Sequence, residues 1–140
     1  MPHMEEVVRA RGHEHVLAGH ASTFEVTSDG YLTPAGDCIL GIGADRTPAD
    51  FDPAFVAACQ SDAAHILATI ETGGHTQRVA GRGHPDLSFE SRRSLVCRTS
   101  DYVDDRTVIV GAGAAAADLD RDLVAALSGG VDLTLTLAVE

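Results

Sequence analysis

Laid against itself, the chain repeats. Arg11-Gly12-His13 returns as Arg82-Gly83-His84 at a shift of 71 residues, and Tyr31 falls on Tyr102 at the same shift. After a deletion of three residues, Gly43-Ala44 meets Gly111-Ala112, Ala49-Asp50-Phe51-Asp52 meets Ala117-Asp118-Leu119-Asp120, and Val56-Ala57-Ala58 meets Val124-Ala125-Ala126. Matches among Ala, Gly and Asp are common in such a composition, so their order and spacing carry the argument. Two copies of one unit imply an approximate internal twofold. Repeat one is expected over about 5–72 and repeat two over about 76–140, together one domain spanning 1–140, long enough to bury a core without disulfides or metal.

Each copy reads as β-β-β-α-β. Strands are predicted over 6–13 and 16–20, then over 22–27, where Phe24 and Val26 face one way and Glu25 and Thr27 the other. Turns at Ser28-Asp29-Gly30 and Pro34-Ala35-Gly36 lead into a buried apolar run at 38–42. A short helix follows, with Asp52 as N-cap, Pro53 at its first position and Phe51 placed against Val56 as a hydrophobic staple. The second copy offers Asp120 as cap, Leu119 against Val124, and Gly129-Gly130 as the stop. Closing strands are predicted over 65–71 and 131–139, the latter with Leu133, Leu135, Leu137 and Val139 on one face and Thr134 and Thr136 on the other. Thr72-Gly73-Gly74-His75 connects the copies. Helices covering sheet faces give an α+β class: a mostly antiparallel sheet or pseudo-barrel with two short helices.

Charge says more about environment than about partners. All ten basic residues are arginine, against 21 Asp and Glu, for a net charge of −11. The acids divide 11 to 10 between residues 1–72 and 73–140, so they coat the fold and do not form a tail. Such a surface repels itself in dilute buffer but is screened within about 3 Å at 1 M salt. A lysine-free acidic surface is the composition expected of a halophilic archaeal protein. Cys38, Cys59 and Cys97 are odd in number and form no C-x-x-C, against a disulfide framework or zinc ribbon. No apolar run is long enough to span a bilayer, and residues 1–6 lack a basic start or apolar signal core. A cytoplasmic protein with no membrane partner is expected.

The ordered motifs resemble an archaeal family known only as domain of unknown function 371. The residues concerned are Arg11-Gly12-His13, His20, Thr23-Phe24-Glu25-Val26-Thr27, Leu32-Thr33-Pro34, Gly36-Asp37-Cys38-Ile39, Ala44-Asp45, Gly81-Arg82-Gly83-His84-Pro85 and Asp101-Tyr102. The resemblance covers nearly the whole chain and implies an archaeal origin and a small duplicated domain, with no activity attached. Ala35 stands before Gly36 where the family pattern leads one to expect a basic residue, which weakens any anion role for that turn.

Among residues that could carry chemistry, the paired Arg-Gly-His segments stand first. A glycine beside a histidine admits a second backbone or a ligand, and a twofold would set His13 and His84 in equivalent places. Facing each other, they would grip a small anionic ligand between the copies; alternatively each caps a turn through a backbone hydrogen bond. The candidate ligand-binding set is Arg11, His13, His20, Thr23, Asp37, Asp45, Arg82 and His84, in a binding or enzymatic domain. His13 and His15 would share a strand face as two metal ligands can, yet the spacing fits no standard zinc pattern, so no metal or other cofactor is assigned. Gly41-Ile42-Gly43 lacks the third glycine of a phosphate turn and reads as packing. The alternative is a non-catalytic RNA- or protein-interaction module. Residues 78–106 hold six arginines (Arg78, Arg82, Arg92, Arg93, Arg98 and Arg106) against five acids, though only Phe89 and Tyr102 are nearby for base stacking.

Overall fold

A computed structural model describes residues 4–140, so the first three residues of the stretch 1–6 lie outside it. In chain order the elements are β1 (Met4–Arg11), β2 (Thr23–Thr27), β3 (Ile39–Gly41), α1 (Pro53–Cys59), β4 (His65–Thr72), β5 (His75–Arg82), β6 (Ser94–Arg98), β7 (Thr107–Ile109), α2 (Arg121–Ser128) and β8 (Asp132–Val139), with a short 3-10 turn ahead of each helix. The class is α+β. Sheet A runs β1-β8-β4-β5 and is antiparallel throughout; sheet B runs β3-β2-β6-β7, with β2 and β6 antiparallel and the short outer strands joined in parallel.

A closed pseudo-barrel does not form. One antiparallel bridge, Arg11 to Ile42, joins an edge of sheet A to the end of β3, and another, Arg82 to Val110, joins the opposite edge to the end of β7. Single bridges stitch the sheets without continuing either ladder.

Local chemistry accounts for the element ends. Asp52 accepts a hydrogen bond from Ala54 N at 2.8 Å and Asp120 one from Asp122 N at 2.8 Å, satisfying donors that a helix start leaves open. Gly73 and Gly74, at φ 55° and 81°, form the two-residue turn of the β4–β5 hairpin, a conformation that side chains with a Cβ resist. Phe51, expected against Val56, lies edge-on to Phe55 with ring centroids 5.7 Å apart.

Leu133, Leu135 and Leu137 of β8, Ile66 and Ile70 of β4, Phe24 and Val26 of β2, and Leu95 and Cys97 of β6 join Phe55, Leu123 and Leu127 of the helices in one buried cluster. Alternate residues of sheet A, among them Arg9, Glu71, Arg78 and Asp132, are exposed, so that sheet has one face on the core and one toward solvent. The segment 16–20, expected as a strand, is a loop that buries Val16 and Ala18 and exposes Leu17. Ala18 sits at φ 47°, and the N–H groups of Gly19 and His20 both donate to the Asp37 carbonyl and not to a neighbouring strand.

Candidate functional site

The paired Arg-Gly-His segments end β1 and β5, and the strand register sets them apart. Arg11 pairs with Asp132 at the start of β8, whereas Arg82 pairs with His65, whose backbone bonds Glu140 just beyond the end of β8. The two arginines thus stand at opposite ends of an eight-residue strand, roughly 25 Å apart along its direction. The expected convergence of His13 and His84 on one cleft is corrected by this register. Each histidine caps its own turn: His13 Nδ1 accepts from His15 N at 3.0 Å, and His84 Nδ1 from Asp86 N at 3.0 Å. Both glycines admit backbone, not ligand. A Cβ on Gly12 would lie 2.0 Å from the Leu127 carbonyl oxygen at the end of α2, and one on Gly83 2.0 Å from that of Cys59 at the end of α1. Each Arg-Gly-His segment therefore clamps the helix that belongs to the opposite part of the chain.

Of the remaining candidates, three meet. His20 Nδ1 accepts from Thr23 N at 3.1 Å and lies 3.1 Å from Thr23 Oγ1, while His20 N reaches the Asp37 carbonyl at 3.3 Å. Asp45 is elsewhere, its Oδ1 accepting from Arg9 N on the edge of β1 at 2.9 Å. The His13 and His15 rings are 5.1 Å apart, and no group of three or more His, Cys, Asp or Glu residues able to hold a metal occurs among the described residues.

Thr23 leads into a place that the pattern of the strands does not announce. Phe24 and Val26 of β2 and Leu95 and Cys97 of β6 face the core, so Thr23, Glu25, Thr27, Ser94, Val96 and Arg98 share the other face of sheet B. That face is also covered, by residues of the loops 28–38 and 99–106, and Glu25, Thr27 and Ser94 are buried. Between loops and sheet lies a cavity of about 250 Å³, floored by Glu25, Thr27 and Ser94, with Arg93 and Arg106 at its rim. Glu25 Oε1 accepts from Cys38 Sγ at 3.3 Å, and its Oε2 lies 3.6 Å from Arg106 Nη1. Arg93 places Nε and Nη2 on Asp29 Oδ2 at 3.0 and 2.8 Å. Ser94 Oγ makes no hydrogen bond with another described residue.

A model of the family catalogued as domain of unknown function DUF371 matches residues 8–140. The chain belongs to this family. It is also 37% identical over 136 residues to an uncharacterised protein of Methanocaldococcus jannaschii, an alignment that covers 97% of this chain and 100% of the relative. In this DUF371 chain, the stretches Thr23–Thr27 and 36–39, two of those on which the resemblance was drawn, meet at the cavity.

The arginines of 78–106 do not form one patch. Arg78 and Arg82 lie on β5, whereas Arg93 and Arg106 line the cavity and are held by Asp29, Asp104 and Glu25, and Arg98, farther along β6, is held by Asp104. Arg98 also stacks its guanidinium 4.8 Å from the Tyr102 ring centroid. Among the described residues no helix is long and apolar enough to cross a membrane.

Through its thiol, Cys38 donates a hydrogen bond to Glu25. Burial first, and the adjacent Glu25 carboxylate second, push its thiol up to about 11. Cys59 and Cys97 are buried, so Cys38 is the thiol open to reagents. Replacing Glu25 by Gln removes the carboxylate while leaving the burial. Iodoacetamide alkylation of Cys38 at pH 8 is expected to speed up about fivefold in Glu25→Gln; equal rates in the two proteins would show that Glu25 does not govern the thiol.

Proposed function

We propose that the chain is a ligand-binding protein that holds a small polar molecule over the β2–β6 seam. The observation that carries this reading is a sheet face that is covered yet polar. A covered face is normally apolar, because burying polar groups is unfavourable unless they are paired, and a residual cavity among such groups is the form a ligand site takes. The charges at the cavity, Glu25 and Asp29 against Arg93 and Arg106, cancel. A ligand offering both signs, such as a small zwitterion of amino-acid size, can take over contacts from both, whereas a bare anion would meet two carboxylates. The cavity is small enough to favour few heavy atoms.

The same reading treats the chain as one domain made of two copies, with the site between them. Support comes from the succession β1, β2, β3, α1, β4 followed by β5, β6, β7, α2, β8, from sheet orders that are unchanged when the two sets are exchanged, and from the bridges Arg11–Ile42 and Arg82–Val110 at matching places. β2 comes from one copy and β6 from the other. The lysine-free, acidic composition supports work in the cytoplasm of a halophilic archaeon, where salt screens the surface.

Thermal unfolding in about 2 M KCl, with the individual α-amino acids as probes, tests the reading. A probe at about 100 times its dissociation constant adds about 2.7 kcal/mol, raising the midpoint by roughly 8–12 °C for a chain of this size. At least one amino acid is expected to raise the wild type and to leave Glu25→Gln unmoved. If none does, or if the mutant responds equally, the seam is not the site.

A further inference from the structure

A second cavity, of about 370 Å³, opens on the solvent face of sheet A, and its lining sets two arginines against one aspartate. Arg9 and Arg11 stand two residues apart on the edge strand β1, so both point outward, roughly 7 Å from each other. Across the ladder Thr134 faces Arg9 and Asp132 faces Arg11. Beneath Arg11 lies Gly43 at φ 63°, where even a Cβ would come within 2.9 Å of Arg11 Nη1; the guanidinium is laid down against backbone as one wall of the opening.

What singles out this pair is the absence of partners at a cavity: Arg78, Arg82 and Arg92 are also unpaired among the described residues, but none of them lines this opening. Arg46, Arg93, Arg98 and Arg106 each lie within 4 Å of a carboxylate, and Arg121 donates to three carbonyl oxygens. The Arg9 and Arg11 side chains have neither a hydrogen bond nor an ion pair with any described residue. Asp132 lines the same opening without reaching Arg11, and the Asp45 carboxylate is engaged by Arg9 N and not by its guanidinium. In a chain with 21 acids and ten arginines, two adjacent arginines left unpaired at the mouth of a cavity repel each other until an anion lies between them. The far corner of the sheet lacks the device. There Ala80 and Leu67 help line a smaller cavity of about 140 Å³, and under the two-copy reading they hold the places of Arg9 and Thr134.

We propose that Arg9 and Arg11, with the Thr134 hydroxyl, form a binding site for the phosphate group of a small phosphorylated ligand. The guanidinium fork suits a phosphate oxygen pair, and the volume leaves room for what the phosphate is attached to. This site is separate from the seam cavity and does not depend on it.

Phosphorus NMR of ribose 5-phosphate and of inorganic phosphate, titrated at the lowest KCl that keeps the native circular dichroism, provides the test. Both probes are expected to bind the wild type, the sugar phosphate more tightly. Arg9→Gln, an exposed change that leaves the fold intact, is expected to weaken both by about tenfold or more, the size of one charged hydrogen bond. Arg92→Gln, which removes the same charge elsewhere, is expected to change binding less than about twofold, within the small effect of a distant screened charge. Glu25→Gln is expected to bind phosphate as the wild type does, whatever becomes of the seam. No binding to the wild type, or equal losses in Arg9→Gln and Arg92→Gln, would overturn the site. Tighter, Arg9-dependent binding of a short RNA lacking terminal phosphates would overturn the small-ligand assignment in favour of a nucleic-acid backbone.

Discussion

Gly12→Ala and Gly83→Ala are each expected to destabilise the protein by about 3–4 kcal/mol, lowering the thermal midpoint by roughly 10–20 °C. The added methyl would sit 2.0 Å from a carbonyl oxygen in both cases, Leu127 for Gly12 and Cys59 for Gly83. Backbone oxygens cannot rotate aside as a side-chain end can, so the whole segment must retreat from the helix. Retreat breaks bonds on either side: Gly12 N to the Val131 carbonyl at 2.8 Å in the first case, and Gly83 N to the Ala64 carbonyl at 3.0 Å with His84 N to the Cys59 carbonyl at 3.1 Å in the second. Gly30→Ala is the control, since nothing lies within 4 Å of its Cβ position and its φ is ordinary; it should change stability by less than about 0.5 kcal/mol. Urea unfolding of the three variants decides. A mild effect at either clamp glycine would mean that the Arg-Gly-His segment does not hold its helix as closely as described.

This clamp explains why the motif was legible as important and misleading as to role. Arg-Gly-His recurs with a glycine that demands close approach, and sequence alone leaves open whether backbone or ligand approaches. The register of β1, β8, β4 and β5 decides it, and that register depends on pairings as distant in the sequence as Arg11 with Asp132. Features set by nearby residues were plainer. Asp52-Pro53 and Asp120 cap helices because the bonds they make span two residues, Gly73-Gly74 turns because its φ values require it, and the Leu alternation of β8 follows the strand period. The segment 16–20 opens on the short apolar run Val16-Leu17-Ala18, which suits a strand, yet its N–H groups find the Asp37 carbonyl in a loop. The alternation of β2 marks Glu25 and Thr27 as its polar face, but a polar face has the same pattern whether it is solvated or covered. Only the length of the loops after β2 and β6, which fold back over that face, hinted at cover.

Asp104→Ala is expected to cost about 3 kcal/mol, out of proportion for a partly exposed aspartate. Its two oxygens hold the loop before β7. Oδ1 accepts from Arg106 N at 3.0 Å, Thr107 N at 3.1 Å and Thr107 Oγ1 at 2.9 Å, and Oδ2 accepts from Arg98 Nη2 at 3.0 Å. Thr107 is fully buried and the Arg98 side chain is only 12% exposed, so truncation takes the carboxylate acceptor from a buried hydroxyl and from a nearly buried guanidinium, which keep their own bond, Arg98 Nε to Thr107 Oγ1 at 2.8 Å, but lose the compensating charge. Burial alone would raise the Asp104 pKa, but the bonds from Thr107 and Arg106, with the Arg98 and Arg106 charges, outweigh it and hold the carboxyl below its ordinary value of 3.8. The unfolded chain then takes up this proton before the folded one does, so the stabilisation is complete above the ordinary value and is lost as pH falls through the lower folded one. Asp104→Asn keeps an acceptor but cannot titrate. The gap in urea midpoint between wild type and Asp104→Asn should therefore hold constant from pH 7 to about 5 and narrow as pH drops below about 4. A gap that stays constant to pH 3 would mean that the carboxylate charge does not stabilise this loop, and that Arg98 and Arg106 are held in place by the sheet alone.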